Sequence, residues 1–162
     1  MTNMEPSRAF IDNTGKLIIE NARILYRNFS GTETKFNRAG DRNFCVFIDD
    51  PETANLLQEK GWNVKIRRPR DEEDPVAHYI KVNVSYRFRA PRIFRHIGNS
   101  VVEVDEETVG ELDKDDIAYC DIIINPSKWE RPGGDTGLSA YLDTLHAIIP
   151  VDYFAEKYGT ER

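Results

Sequence analysis

The residues able to do chemistry in this chain of 162 are few and scattered. Three histidines, His78, His96 and His146, stand without the short spacings that gather ligands around a metal. His78 begins a strand-like run and His146 lies inside one, where packing or surface exposure is the ordinary role. Cys45 and Cys120 sit in apolar runs with no CxxC pattern and no histidine close by, so they read as two buried free thiols in a reducing cytoplasm. No GxGxxG, GxxxxGK[ST] or GxSxG pattern is present. Asp121 and Asp143 fall in the middle of strand-like runs and could be neighbours, as the carboxylates of a two-metal nuclease must be. No lysine or third strand acid completes such a set. The chain is therefore not read as an enzyme, and no cofactor or metal is expected. A metal-dependent nuclease using Asp121 and Asp143 remains a minor alternative.

What does recur is a cation beside a ring. Lys65, Arg67, Tyr79 and Lys81 share two strand-like runs. Arg87, Phe88, Arg89, Arg92, Phe94 and Arg95 crowd the stretch RFRAPRIFRHIG. Lys35, Phe36, Arg38 and Arg42 do the same in a polar segment with two glycines. Arg23 and Arg27 lie on the strand before it, and Lys128 and Trp129 lie near the C-terminal end. Single-stranded nucleic acid needs cations along its phosphates and flat apolar surfaces for its unstacked bases. Any one of these residues is as well explained by a solvated surface; together they favour binding over catalysis. Trp129 is open to two roles, a lid on the core or a platform for a base, whereas Trp62 reads as core.

The net charge of −6 argues the other way until it is divided along the chain. Residues 1–100 hold 17 Lys and Arg against 13 Asp and Glu, a net of +4, and residues 101–162 hold 5 against 15, a net of −10. An average over two such unlike halves does not exclude a polyanionic partner. The acid run Asp71–Asp74 reads as a solvated loop tip, and the acidic segment Glu103–Asp116 as a solvated helix that could also shield a groove or meet a partner.

These residues must be positioned by strands. His78 to Phe88 alternates Ile80, Val82, Val84, Tyr86 and Phe88 with Tyr79, Lys81, Asn83, Ser85 and Arg87, which a period of two sends to opposite faces. Trp62 to Arg67 is its partner strand. Lys16 to Phe29 predicts one long strand, Asn43 to Ile48 a short buried one, and Asn99 to Val104 another. Ile117 to Ile124 predicts a strand covered on both faces. Leu138 to Ile149 predicts the last. Asp50 and Pro51 open a helix that Gly61 ends, with Ala54, Leu56 and Leu57 as its apolar stripe. Arg87 to Gly98 reads as a projecting arm, because Pro91 is foreign to a central strand. Residues 30–42 read as a long mobile loop or hairpin tip, and 125–137 as a loop. Residues 152–158 read as a last helical turn. The sum is a mainly β domain, a small barrel or sandwich with an added helix. Its expected limits are a flexible leader over 1–16, one domain over 17–158 and a short tail over 159–162. No apolar run approaches the ~20 residues of a membrane span.

Several stretches carry a resemblance: RILYRNFSG, FNRAGDRNFCVFIDDP, GWNVKIRRPRDEEDPVAHYIKVNV, VGELD, DIIINPSKWE and TGLSAYLDTLHAII. Together they resemble a family of single-stranded DNA-binding proteins of tailed bacteriophages, over roughly Leu17 to Tyr158. The resemblance implies an OB-fold, a five-stranded Greek-key barrel with extended hairpins and loops and one or two short helices. It implies sequence-tolerant binding of single-stranded DNA in replication and recombination, in the cytoplasm of a host cell, with phage or host replication and recombination proteins as further partners. The chain ends EKYGTER, without the long acidic tail that many such proteins use for recruitment. A protein-binding module is the alternative in a different class. Oligomeric state is not legible in the sequence.

Overall fold

The computed structural model describes residues 6–151, 154 and 157. In chain order the elements are β1 (Arg8–Ile11), β2 (Leu17–Ala22), β3 (Ile24–Asn28), β4 (Arg42–Ile48), α1 (Pro51–Glu59), β5 (Val64–Arg67) and β6 (Ala77–Val84). There follow β7 (Arg92–Ile97), β8 (Ser100–Val104), a 3-10 segment (Val109–Asp113), β9 (Tyr119–Glu130) and β10 (Thr136–Ile149). The fold is mainly β, with one sheet whose path runs β1-β2-β9-β10-β6-β4-β3. β5 adds to β6, and the β7–β8 hairpin joins through β7 to β10. Ten strands stand where five were expected, and among the described residues no ladder returns from β3 to β1 or β2, so the sheet is open.

The single strand expected over Lys16–Phe29 is divided by backbone geometry. Asn21 (φ 54°) and Tyr26 (φ 51°) occupy the left-handed region, which L-residues other than asparagine and aspartate seldom visit. The first bend turns the chain so that β2 pairs with β9 and β3 with β4. The N–H of Phe47 donates to the carbonyl of Arg23 at 3.0 Å across this corner.

Period-two burial marks the strands that carry the core, broken on β4 only by the buried Cys45. Leu17 and Ile19 on β2, Phe44, Val46 and Ile48 on β4, Ile80, Val82 and Val84 on β6, and Ile122 and Ile124 on β9 are all buried. Each contributes roughly 1.5–3 kcal/mol by leaving water. Trp62 is core, as expected. The Asp50 carboxylate caps α1, accepting from the N–H of Glu52 at 3.3 Å and the hydroxyl of Thr53 at 2.8 Å. Pro51 starts the helix, and Ala54 and Leu57 seal it to the core while Leu56 stays half exposed. Cys45 and Cys120 are buried free thiols, and burial pushes Cys120 up to about 12.

Several expectations are corrected. Part of the leader is sheet: Arg8–Ile11 pairs antiparallel with Leu17–Glu20 through the Asp12–Gly15 turn, whose Asp12 carboxylate accepts from the N–H groups of Thr14 and Lys16. The stretch after Pro91 is not an arm. β7 lies parallel to β10 over six residue pairs, Thr144–Arg92 through Ile149–Ile97, and antiparallel to β8. Residues 125–137 are not a loop either, since β9 and β10 continue as one hairpin from Asn125–Tyr141 to Glu130–Thr136. Residues 30–41 form a tied loop in which the Asn37 side-chain amide donates to the carbonyls of Thr32, Arg38 and Asp41. The acidic segment is docked rather than solvated: Val109 and Leu112 are buried, and the Asp113 carboxylate accepts from the N–H groups of Phe29 and Ser30. The turn over 152–158, apart from Phe154 and Lys157, and the tail over 159–162 lie outside the described residues.

Candidate nucleic-acid interface

Residues that oppose each other across a ladder share a face, so the register of β6 with its neighbours decides what its outward side chains meet. Tyr79 lies opposite Phe47 on β4 and Lys65 on β5. Lys81 lies opposite Cys45. Asn83 lies between Asn43 on β4 and Tyr141 on β10, and Tyr141 opposes Asn125 on β9. The same face continues along the β9–β10 hairpin through Ser127–Ser139 to Trp129–Gly137. One side of the sheet thus carries cations, amides and rings in transverse rows, while Ile80, Val82 and Val84 hold the other side in the core.

At one end the rows open into a groove of about 840 Å³. Its walls are residues 39–42, the segment Ser85–Arg89 after β6, and the base of the β9–β10 hairpin; Lys81, Asn83 and Tyr141 are on its floor. Four cations line it, Arg42, Lys81, Arg87 and Arg89, against two acids, Asp41 and Glu106. In a chain of net charge −6 that is a local reversal of sign. Lys65, Lys81, Arg87 and Arg89 have no ion-pair partner among the described residues. Phe88 is 98% exposed at the tip between Arg87 and Arg89, and Tyr141 is 38% exposed.

At the other end, Tyr26 and Tyr79 form an edge-to-face pair, and the Arg67 guanidinium lies 5.7 Å from the Tyr26 ring. The positive φ of Tyr26 sits within a register shift of the β3–β4 ladder, between Leu25 and Asn28, and leaves the ring exposed. A second exposed ring, Phe36, tips the 30–41 loop beside Lys35, and Arg38 is exposed next to it.

The predicted residues therefore divide. Lys65, Arg67, Tyr79, Lys81, Arg42, Arg87, Phe88 and Arg89 come together on the face and groove just described. Most of the others bond to neighbouring protein groups, some buried and some, like Arg92 and Arg23, at the surface. Arg27 donates to the carbonyls of Leu112 and Asp115 at 2.8 and 2.7 Å, fastening the 3-10 segment to β3. Arg92 grips Glu103 with two bonds, which raises the arginine and lowers the carboxyl. Arg95 binds both oxygens of Asp115 at 2.8 Å and reaches Glu111 at 3.0 Å; the Asp115 bond raises its affinity for its proton against the opposing effect of burial. Phe94 stacks on His146 with centroids 4.7 Å apart. Arg23 pairs with Asp49 at 3.1 Å and lies over Phe47. Lys128 opposes Leu138, so it faces away from Trp129.

Trp129 is no core lid, since it is 37% exposed. Its indole lies across Gly137 on the facing strand, so close that a Cβ there would stand 2.4 Å from Cζ2, and Arg131 covers it at 5.1 Å. Tyr141 and Tyr26 escaped the candidate set. Alternation in LSAYLDT marks Tyr141 as outward, opposite in parity to Ala140 and Leu142. For Tyr26 no sequence signal exists, because its exposure depends on the backbone bend.

The acids proposed for a nuclease are also occupied. Asp121 accepts the N–H of Asn21 at 3.0 Å and faces His146 across the ladder. Asp143 is drawn up by burial, but Lys16 at 3.0 Å, Thr144 and Asn125 outweigh that and hold it below the usual carboxylate range. Among the described residues no group of three or more His, Cys, Asp or Glu is placed to hold a metal, and no helix is long and apolar enough to cross a membrane.

No curated protein sequence matches the chain. Among solved structures, the chain is similar to the single-stranded DNA-binding protein from bacteriophage Enc34, C-terminal truncation. The TM-score is 0.57 at 12% identity, over 94% of this chain and 96% of that one, a likeness of fold. A sequence profile described as "Putative phage ssDNA-binding domain" matches residues 6–161, nearly the whole length, and the chain belongs to that family.

Proposed function

We propose that the chain binds single-stranded DNA without strong sequence preference and protects it during phage DNA replication or recombination in the host cytoplasm. The observation that carries this reading is the groove: unpaired Lys81, Arg87 and Arg89 surround the exposed rings of Phe88 and Tyr141 on one face. Cations hold successive phosphates and release their counterions, while rings take bases by stacking, which tolerates any sequence. The strand would run from the groove over Lys81 and Tyr79 to Lys65, Arg67 and Tyr26. Phe36, Lys35 and Arg38 would extend one wall, and Trp129 the other.

Six of the strands favour the finer reading of an OB-type, five-stranded Greek key. If β2 and β3 count as one bent strand, the order is bent strand, β4, β6, β10, β9 and back to the bent strand. The contact between β6 and β10 is parallel and all others in this circuit are antiparallel. The circuit is completed through the chain at Asn21–Arg23 rather than through a ladder. β1, β5 and the β7–β8 hairpin would be additions to it.

Fluorescence titration with oligo-dT over a range of salt tests the function. Affinity should fall with a log–log slope near −0.7 for each phosphate held, and duplex of the same length should bind more weakly. Absence of binding at low salt, or equal affinity for duplex, overturns the reading.

A further inference from the structure

One cation of the groove differs from the rest. Arg42 is four-fifths buried, and its Nε donates to the carbonyl of Phe29 at 3.0 Å. Its guanidinium carbon lies 5.5 Å from the centre of the Tyr86 ring, which also lines the groove. Its outer nitrogens meet Glu106, with Nη1 3.5 Å from the carboxylate and Nη2 donating to the Glu106 carbonyl at 3.4 Å. Glu106 is an exposed residue on the loop after β8, which the Asp105 carboxylate ties up by accepting the N–H groups of Glu107 and Thr108. Tyr86 lines the same groove, and its hydroxyl is buried with no hydrogen-bond partner among the described residues.

We infer that Arg42 and the Tyr86 hydroxyl form a phosphate subsite which Glu106 occupies in the free protein, so that a DNA strand entering this end of the groove must displace the Glu106 carboxylate. This rests on the single-stranded DNA reading and adds regulation to it. A planar guanidinium already oriented by Phe29 and Tyr86 presents its fork to whichever anion is nearest, a carboxylate or a phosphate. The Glu106 contacts are long and solvent-facing, which makes them exchangeable. The Phe29 bond is short and internal, which keeps the arginine in place during the exchange. The phenol, which the Glu106 carboxylate does not bond, would gain an acceptor from a phosphate oxygen. Burial, followed by the nearby Glu106 and Asp105 charges, holds that phenol protonated against the opposing pull of Arg42, so it is a donor at neutral pH. The internal acidic loop would thus weaken binding to short strands and impose a threshold.

The test compares oligo-dT affinity and its salt slope for the full chain, Glu106→Gln and Glu107→Gln. Glu107 carries the same charge on the same loop and makes no ion pair or hydrogen bond with Arg42 among the described residues. Glu106→Gln should bind up to roughly fivefold tighter at low salt, the worth of one surface ion pair. Its slope should be steeper by about 0.7, one further phosphate held. Glu107→Gln should change the slope not at all. Adding Tyr86→Phe to Glu106→Gln should remove part of the gain. Equal gains from the two glutamines, or an unchanged slope in Glu106→Gln, overturn the subsite while leaving the function intact. No binding by any of the proteins at low salt overturns both.

Discussion

Tyr26 meets Tyr79 edge to face, with ring centroids 6.3 Å apart and planes at 71°. The two come from strands that are not neighbours in the ladder: β3 pairs with β4, and β4 with β6. Tyr26 reaches across because its left-handed backbone re-aims the side chain. The pair presents one ring edge-on and one ring flat, with Arg67 beside them, so it offers a base a rigid step rather than a mobile side chain.

Phe88 and Tyr79 should separate binding from folding. Phe88 is almost wholly exposed, so Phe88→Ala should leave the urea midpoint within about 0.5 kcal/mol of the original. The same change should weaken oligo-dT binding by about 1–3 kcal/mol, one lost stack. Tyr79→Ala should weaken binding and lower stability as well, since its loss also removes an aromatic pair worth about 0.5–1.5 kcal/mol. Parallel denaturation and fluorescence titration measure the two effects.

Arg95 should prove structural. It bridges β7 to Asp115 and Glu111, and its side chain and that of Asp115 are both mostly buried. Arg95→Met should cost about 3 kcal/mol by leaving a buried carboxylate without its partner. Oligo-dT affinity, measured where the variant is still folded, should change less than twofold. A large loss of affinity with unaltered stability would return Arg95 to the interface.

Gly137→Ala should unseat Trp129. The added methyl would intrude on Cζ2 and Cε2 of the indole, at 2.4 and 2.8 Å, and a large ring has no small adjustment that avoids both. Overpacking of this kind costs about 1–3 kcal/mol. Tryptophan emission should shift to the red as the ring leaves its strand, with Trp62 as the constant buried background. Oligo-dT quenching in wild type and Gly137→Ala then reports whether the seated ring or the free one serves the DNA.

His146 should set an acid limit on stability. Burial, then the neighbouring His96 at 2.8 Å and Arg92, lower its proton affinity against the opposing pull of Asp121. Its folded-state value lies below the ordinary 6.5, so the unfolded chain binds the proton more tightly. The stability it contributes is complete above the unfolded value and is lost as pH falls from there through the folded value. Thermal midpoints should decline as pH drops below about 6.5, and His146→Phe, which keeps a flat ring against Phe94, should shallow that decline.

Local signals were legible and non-local ones were not. The Asp50–Pro51 start and Gly61 stop of α1, and the alternation of β4 and β6, are decided within a few residues. The cations of β7 are decided by acids up to 20 residues further on, Asp115 for Arg95, which no window over RFRAPRIFRHIG contains. Pro91 misled because it stands immediately before β7 and so breaks no ladder. Pro126 misled for a related reason: the β2 ladder on β9 ends at Ile124, so beyond it that side of the strand is an open edge. On the candidate face, period two identified Tyr79 and Lys81. The corner at Asn21 and the shift at Tyr26 were invisible, because they answer to pairing with β9 and β4 and not to local preference.

β10 has a consequence for how the chain acquires its form. This strand bonds to β9, β7 and β6, and Ile19 meets Ile122, 103 residues later, in the adjoining ladder. Contacts of such high sequence separation close slowly, because the entropy of a long loop is lost before any pairing rewards it. During synthesis the β4–β6 meander can form early. The two halves of the sheet cannot be joined until Thr136–Ile149 has left the ribosome, so the outward row from Asn43 to Asn125 is assembled only after β10 has been made.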